Sequence, residues 1–392
     1  MALSPLDIIR ILPRGAKQLM LSAEYIECAL SLARLAMGYT SPNPAVGAVV
    51  VKEGVIVGRG YTQPAGSDHA EVIALRQAGD KAKGATMYVT LEPCCHYGRT
   101  PPCTQAIINA GIAEVQIALL DPNPLVSGRG VGELKEAGIK TYVGVYQKEA
   151  YEINEAYIKF ITTGLPFVIA KFAMSLDGKI ATKTGHSKWI SNEAARNYVH
   201  ILRYTADAIM VGVNTVIIDN PRLTARGCCG KGGETKKQPL RLIVDSNGRT
   251  PLNAQLFKQP GKALLATIKP FDREKKRRLA QIGVEVLELP GAGGLVDLEE
   301  LFKVMGRRGI VTVLAEGGGK LLGSLFDHRL VDKVIAFISP IIIGGNEAKT
   351  AVGGDGVDSV VEALCLDRVN IKNFGDNILV SGYVKRGPRQ KS

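Results

Sequence analysis

Apolar and polar positions along this chain repeat with two different periods, and the switches between them mark out its elements. Residues 21–37 carry Ile26, Leu30, Leu32, Leu35 and Ala36 at helical spacing, which predicts an amphipathic helix. Two β-rich runs at 46–51 and 55–60 predict strands joined as a hairpin. A helix from His69 to about Ala78, a strand at 86–90, a helix at 104–110 and a strand at 115–119 follow. Residues 147–166 read as a helical connector ending on Gly164-Leu165-Pro166, where a boundary is placed. A second alternating series opens with the apolar strand 167–172, includes a strand at 311–315 and ends with 378–384. No short fixed period recurs, so a solenoid is excluded. The alternation through residue 145 gives an α/β fold with three layers in the first half.

A length of 392 residues implies two domains, set at 20–165 and 166–388, with residues 1–19 an extension ahead of Met20. A content of 46% hydrophobic and 22% charged residues is that of a soluble globular chain, not a disordered one. No apolar run approaches the roughly 18 residues of a membrane span, and the first twenty residues offer no small-residue cleavage site. The expected compartment is the cytoplasm, which seven cysteines, an odd number, also favour over a disulfide framework. Cys228-Cys229 reads as a reduced loop pair and residues 231–237 as a mobile loop. A net charge of +12 invites a nucleic-acid partner. Phosphorylated substrates and a dinucleotide attract cations equally well, and Lys275-Lys276-Arg277-Arg278 reads as the solvated face of a helix.

One stretch carries chemistry by itself. His69-Ala70-Glu71 is followed by Glu92-Pro93-Cys94-Cys95-His96-Tyr97-Gly98-Arg99-Thr100-Pro101-Pro102-Cys103. One imidazole and two separated thiols suit a zinc ion that keeps its fourth position open for water. A carboxylate two residues beyond the histidine can handle that water's protons without ligating the metal. This is the arrangement of hydrolytic deaminases acting on amino-bearing heterocycles. Adjacent side chains diverge, so Cys94 and Cys95 do not share one tetrahedral ion, and His69, Cys94 and Cys103 are taken as the ligands. Cys103 at a helix start would have its thiolate favoured by backbone N–H groups. Prolines on both sides of Asn43 fix the direction of an amide suited to a substrate. Asp121 and Asn123 fall on a loop at the carboxyl end of a strand, where open α/β sheets bind ligands.

The second half holds no metal-ligand constellation, so a soluble cofactor is the expected source of its chemistry. Ser175-Leu176-Asp177-Gly178-Lys179-Ile180-Ala181 turns directly after a strand. Trp189, in Ser187-Lys188-Trp189-Ile190, either packs on a cofactor or fills the core. Thr215-Val216-Ile217-Ile218-Asp219-Asn220-Pro221-Arg222-Leu223-Thr224-Ala225-Arg226 is the strongest motif here. Glu316-Gly317-Gly318-Gly319 stands between a strand and a helix starting near Lys320, where backbone N–H groups can approach a phosphate. It is not the G-x-G-x-x-G fingerprint, which excludes a Rossmann domain.

These motifs together, with Thr40-Ser41-Pro42-Asn43-Pro44-Ala45-Val46-Gly47 and Asp121-Pro122-Asn123-Pro124, resemble the bifunctional riboflavin-biosynthesis deaminase–reductase family over residues 20–385. The resemblance implies a cytidine-deaminase-like first domain and a dihydrofolate-reductase-like second one, with Zn2+ and NADPH as cofactors. It implies removal of an amino group from a pyrimidine ribose phosphate with Glu71 moving protons, then reduction of the ribosyl group to ribityl. Asn43, His96, Arg99, Asp121 and Asn123 would face the first substrate, Arg99 through its donor fork. NADPH would be contacted by Ala173, Trp189, Thr215, Asp219, Ser246 and the run Gly318, Gly319, Lys320, Leu321, Leu322, Gly323, Ser324. The second substrate would meet Ser187, Arg203, Leu223, Arg226 and Glu316, with the arginines gripping its phosphate bidentately. Asp219 is the candidate catalytic group of this half. A homo-oligomer is expected, without nucleic acid or membrane as partner.

Three rivals are weighed. A nucleic-acid deaminase predicts base-stacking aromatics and a short Pro-Cys-x-x-Cys spacing, neither of which is found. A non-catalytic binding protein predicts a lost ligand or proton shuttle, yet all four residues are present. A deaminase with an inactive, ligand-binding second domain is the alternative kept.

Overall fold

The computed structural model describes residues 14–98, 100–226 and 237–385, and its contacts divide between Thr163 and Gly164 into two units. Both units are α/β. In the first, helix α1 (Arg14–Ala36) precedes the hairpin β1 (Gly47–Lys52) and β2 (Val55–Tyr61). Then come α2 (Ala70–Ala78), β3 (Thr86–Val89), α3 (Cys103–Asn109), β4 (Glu114–Ile117), α4 (Arg129–Glu136), β5 (Lys140–Val143) and α5 (Gln147–Thr163). The sheet order is β2-β1-β3-β4-β5, antiparallel at the hairpin end and parallel from β3 to β5.

Three glycines show how the layers close. A Cβ on Gly47 would fall 1.9 Å from the Ala29 carbonyl oxygen of α1. On Gly58 and Gly60 it would fall 2.1 Å from the carbonyls of Ala74 and Ala70 in α2. Gly47 and Ala48 point to opposite faces, and Ala48 pairs with Gly60, so α1 and α2 cover opposite sides of the sheet. Three layers follow. Among the described residues helix α1 runs from Arg14, seven residues ahead of the apolar pattern that begins at 21. Residues 1–13, most of the expected extension, lie outside the described residues.

The second unit is a nine-stranded sheet of order β11-β10-β9-β8-β14-β6-β15-β18-β17. Its strands are β6 (Phe167–Ser175), β8 (Ala208–Gly212), β9 (Leu240–Val244), β10 (Ala263–Ile268), β11 (Val284–Leu289), β14 (Thr312–Ala315), β15 (Lys333–Ser339), β17 (Leu366–Phe374) and β18 (Asn377–Val384). The short β7 (Lys179–Ala181) and β16 (Lys349–Thr350) pair apart from it, as do β12 (Gly291–Ala292) and β13 (Leu295–Val296). Pairing is parallel from β11 through β15 and antiparallel only at β18 and β17. Strand β8 is buried on both faces: Ala208 and Met210 join one apolar cluster, Ile209 and Val211 another. That is why parallel strands read as continuous apolar runs.

The helices of this unit are α6 (Glu193–Thr205), α7 (Val213–Asp219), α8 (Arg273–Gln281), α9 (Leu298–Arg307) and α10 (Gly319–Asp327). Helix α8 leaves Lys276, Arg277 and Arg278 exposed, and Arg277 pairs with Glu274, as a solvated face should. Residues 227–236, holding Cys228-Cys229 and most of the expected mobile loop, lie outside the described residues. Among the described residues no helix is long and apolar enough to cross a membrane.

Candidate active sites

In the first unit, the end of β3 and the starts of α2 and α3 bring three donors together. His69 caps α2 in an extended conformation, and its Nδ1 lies 3.3 Å from Cys103 Sγ and 3.6 Å from Cys94 Sγ. Bonds of about 2.0 Å to nitrogen and 2.3 Å to sulfur in a tetrahedral site set such separations near 3.5 Å. The set therefore fits a zinc ion. His69 Nε2 sits 3.4 Å from Thr100 Oγ1, a contact that fixes the ring with Nδ1 toward the thiols. Cys95 turns away, its Sγ 3.7 Å from the Leu125 carbonyl.

Cys94 is held below the usual thiol range, first because Cys103 donates to it, while burial opposes. Cys103 is pushed well above the usual thiol range because it donates to Cys94. At the start of α3 the Cys103 backbone N–H donates to Cys94 Sγ at 3.4 Å. A dication among these donors would hold both as thiolates.

Glu71, on the first turn of α2, is 4% exposed, and burial raises it to about 7 against the pull of His69. Asp121 is also buried, accepts from Tyr157 Oη at 3.1 Å and from the Asn123 backbone at 2.9 Å, and is raised by that burial. The Asn123 side chain accepts from the Leu125 backbone at 3.0 Å, so both residues shape their own loop. Asn43 is half-buried in the turn after α1, with its N–H donated to the Thr40 carbonyl at 2.9 Å. His96 Nδ1 is buried without a protein partner among the described residues. Arg99 lies outside them. Sequence reasoning quoted Glu92 but gave it no role, although its carboxylate accepts from the backbones of Asp121, Gly128 and Val131 at 3.2, 2.9 and 3.0 Å.

In the second unit a cavity of about 650 Å³ opens beside β6, α6, α7 and the start of α10. It gathers Ala173, Ser187, Trp189, Arg203, Thr215, Asp219, Arg226, Glu316, Gly318 and Leu322 from across the chain. Asp219 accepts from Ser187 Oγ at 3.0 Å. Trp189 is 71% exposed with the Arg196 guanidinium 4.7 Å from its ring, which rules out the core alternative. Gly317 and Gly318 both have positive φ, and a Cβ on Gly318 would meet Thr215 Oγ1 at 3.1 Å. The donor-rich rim, the glycine turn and this volume fit a dinucleotide's phosphates and ring.

Other expected residues fall elsewhere. Leu223 is 3% exposed and Leu321 7%, both in the core. Gly319 and Gly323 close α10 against the backbone of Thr350 and Gly353, where a side chain would have no room. Lys320 and Ser324 are not on the cavity wall, and Ser246 lines a separate hollow of about 280 Å³ with Lys269 and Phe271. Arg203, expected to grip the phosphate bidentately, lines the cavity but directs its nitrogens at protein partners. Its Nε and Nη2 hold Glu316 at 2.6 and 2.9 Å, and its Nη1 donates to the Thr224 carbonyl at 3.2 Å. Sequence reasoning missed Lys171, which meets Glu316 at 3.2 Å. The signal was there, a lone cation inside the apolar run Phe167-Val168-Ile169-Ala170-Lys171-Phe172. It missed His200 too, which gave no motif.

Fold and sites define a two-domain enzyme that couples a zinc-type deaminase to a reductase. The family description "Cytidine and deoxycytidylate deaminase zinc-binding region" matches residues 21–119, and "RibD C-terminal domain" matches residues 166–380. The riboflavin biosynthesis protein RibD of Aquifex aeolicus (strain VF5) is 46% identical over 91% of this chain and 96% of its own. Among solved structures, Acinetobacter baumannii RibD superposes with a TM-score of 0.83 at 36% identity, covering 94% of this chain and all of that one. A diaminohydroxyphosphoribosylaminopyrimidine deaminase/5-amino-6-(5-phosphoribosylamino)uracil reductase from Thermotoga maritima gives 0.81 at 34%, covering 93% and 99%. The chain belongs to the RibD family, bifunctional deaminase–reductases of riboflavin biosynthesis.

Proposed function

We propose that the chain removes the 2-amino group of 2,5-diamino-6-ribosylamino-4(3H)-pyrimidinone 5′-phosphate and then reduces its ribosyl group to ribityl with NADPH. The observation that carries the first step is the His69, Cys94 and Cys103 donor set with buried Glu71 beside it. Those three would hold zinc, which when bound supplies the Lewis acidity that makes water nucleophilic at neutral pH. Glu71, buried beside the donor set, takes a proton at its carboxylate and returns it to the departing amino group. His96, whose buried Nδ1 has no protein partner among the described residues, faces the pyrimidine phosphate with Asn43 and Arg99. Asp121 and Asn123 act through the loop they shape.

In the second unit NADPH, when bound, supplies the hydride. Thr215, Asp219, Trp189, Ala173 and the Gly318 turn form its side of the cavity. Arg226 holds the substrate phosphate with Ser187, and Glu316, itself fixed by Arg203 and Lys171, meets the sugar. The proposed domains are 20–165 and 166–388, and the compartment the cytoplasm. Exposed Val369 and Ile371 on the edge strand β17, 53% and 65% exposed, support a homo-oligomer, to be read by light scattering. The deciding assay follows ammonia release and NADPH oxidation separately. Deamination that survives His69→Ala would overturn the first assignment, and deaminated intermediate that oxidises no NADPH would overturn the second.

A further inference from the structure

The 223–226 turn is held in a conformation it would not adopt alone. Leu223 is a buried, non-glycine residue at φ +52°, a backbone region that L side chains rarely occupy. Arg226, three residues on, reaches the cavity wall. The turn is tied from two sides. Gln238 brackets Ala225, accepting from its N–H and donating to its carbonyl, both at 3.0 Å. From helix α6, His200 Nδ1 lies 3.1 Å from the Thr224 carbonyl and Arg203 Nη1 donates to the same oxygen at 3.2 Å. His200 and Arg203 are three residues apart, on one face of the helix, so a single surface holds this oxygen.

A carbonyl only accepts, so the ring nitrogen facing Thr224 carries the proton. Burial, then the charges of Arg203 and Arg226, push His200 down to about 4, so the ring is neutral and holds that single proton on Nδ1. Arg203 is already committed to Glu316. His200 therefore gives this oxygen a second tie, from the same helix face as Arg203.

We propose that His200 is a positioning residue of the reductase cavity, its Nδ1–H holding the Thr224 carbonyl so that the strained turn presents Arg226 to the phosphate of the second substrate. The proposal rests on the reading of this cavity as the reductase site. It assigns His200 a role through one nitrogen, which the choice of substitution can isolate. An asparagine amide can place its NH2 where Nδ1 stands, whereas a glutamine amide reaches only the far ring nitrogen's position.

The test uses the full-length protein with three variants, H200N, H200Q and H200A. In H200A and H200Q the KM for the deaminated pyrimidine phosphate rises by about tenfold, the loss of one hydrogen bond's worth of positioning. The KM for NADPH and the deamination rate stay unchanged, and kcat moves much less than KM. In H200N the substrate KM returns to within about threefold of the parent, on the same arithmetic. Calorimetric titration with ribose 5-phosphate, without cofactor, gives the same ranking of affinities. Equal behaviour of H200N and H200A, or rescue by H200Q rather than H200N, overturns the proposal. If the parent protein reduces nothing with NADPH, the reading of the cavity fails and takes the proposal with it.

Discussion

Arg203 grips Glu316 with two parallel hydrogen bonds, Nε to Oε1 at 2.6 Å and Nη2 to Oε2 at 2.9 Å, while Lys171 meets Oε2 at 3.2 Å. Burial alone would raise this carboxyl. The two cations outweigh it and hold Glu316 at about 2, well below the ordinary 4.5. The folded-state value lies below the unfolded one, so the stabilisation is complete above about pH 4.5 and is lost as pH falls toward 2. Glu316→Gln leaves both cations with a neutral partner. At neutral pH it should destabilise the second unit by about 3 kcal/mol. Denaturant unfolding of both proteins across pH 2 to 7 should show a gap that is constant above about pH 5 and narrows below it. A gap independent of pH would mean that Glu316 is not held ionised.

The vicinal cysteines make opposite predictions. Cys94 Sγ is 3.6 Å from His69 Nδ1, whereas Cys95 Sγ faces the Leu125 carbonyl. Cys94→Ser and Cys103→Ser should each strip zinc from the purified protein and lower deamination by at least about a thousandfold. NADPH oxidation with the deaminated intermediate should survive both. Cys95→Ser should keep one zinc per chain by elemental analysis. Zinc lost from Cys95→Ser but retained in Cys94→Ser would reverse the ligand assignment.

Glu71 lies next to the donors yet is not one of them. Glu71→Gln keeps the volume and removes the base. Zinc content should stay at the parent level while deamination falls by roughly two to four orders of magnitude, the usual contribution of a positioned proton shuttle. Loss of zinc together with activity would instead make Glu71 a structural support of the metal site.

What the sequence disclosed followed from where the chemistry was local. His69 and Glu71 share one helix start, Cys94 lies in the loop after β3 and Cys103 begins α3, so their spacing alone specified a site. Strands β6 and β14 announced themselves as apolar runs, since Val168 and Ala170, and Val313, Leu314 and Ala315, are all buried. Roles that depend on distant partners were not legible. Arg203 reads as a phosphate ligand until the fold places Glu316 against it, 113 positions away. The glycines of α10 read as a phosphate cradle, yet Gly319 and Gly323 serve close packing against residues 350–354, which no local pattern announces. Glu92 went without a role for the same reason, since its three N–H partners all come from a later part of the chain.

Gly130 tests whether that Glu92 junction holds the metal site in place. It is the second residue of α4, and a Cβ there would fall 2.2 Å from the Pro93 carbonyl oxygen and 3.2 Å from Glu92 Oε1. Neither atom can give way cheaply. One is backbone immediately before Cys94; the other accepts from Val131 at 3.0 Å on a carboxylate that also holds Gly128 and Asp121. Gly130→Ala must therefore push α4 away from the turn that carries Cys94. Overpacking of this kind costs about 1–3 kcal/mol. A displaced support of a metal ligand weakens the ion by about 10- to 100-fold. Gly132, two residues along the same helix, has open space where its Cβ would be, so Gly132→Ala should be neutral or gain about 0.5 kcal/mol from helix propensity. Competition with a zinc chelator should separate the two, Gly130→Ala releasing metal at far lower chelator concentration and Gly132→Ala matching the parent. If Gly130→Ala is destabilised but holds zinc as tightly as the parent, the strain is absorbed within α4 and the Glu92 junction does not govern where Cys94 sits.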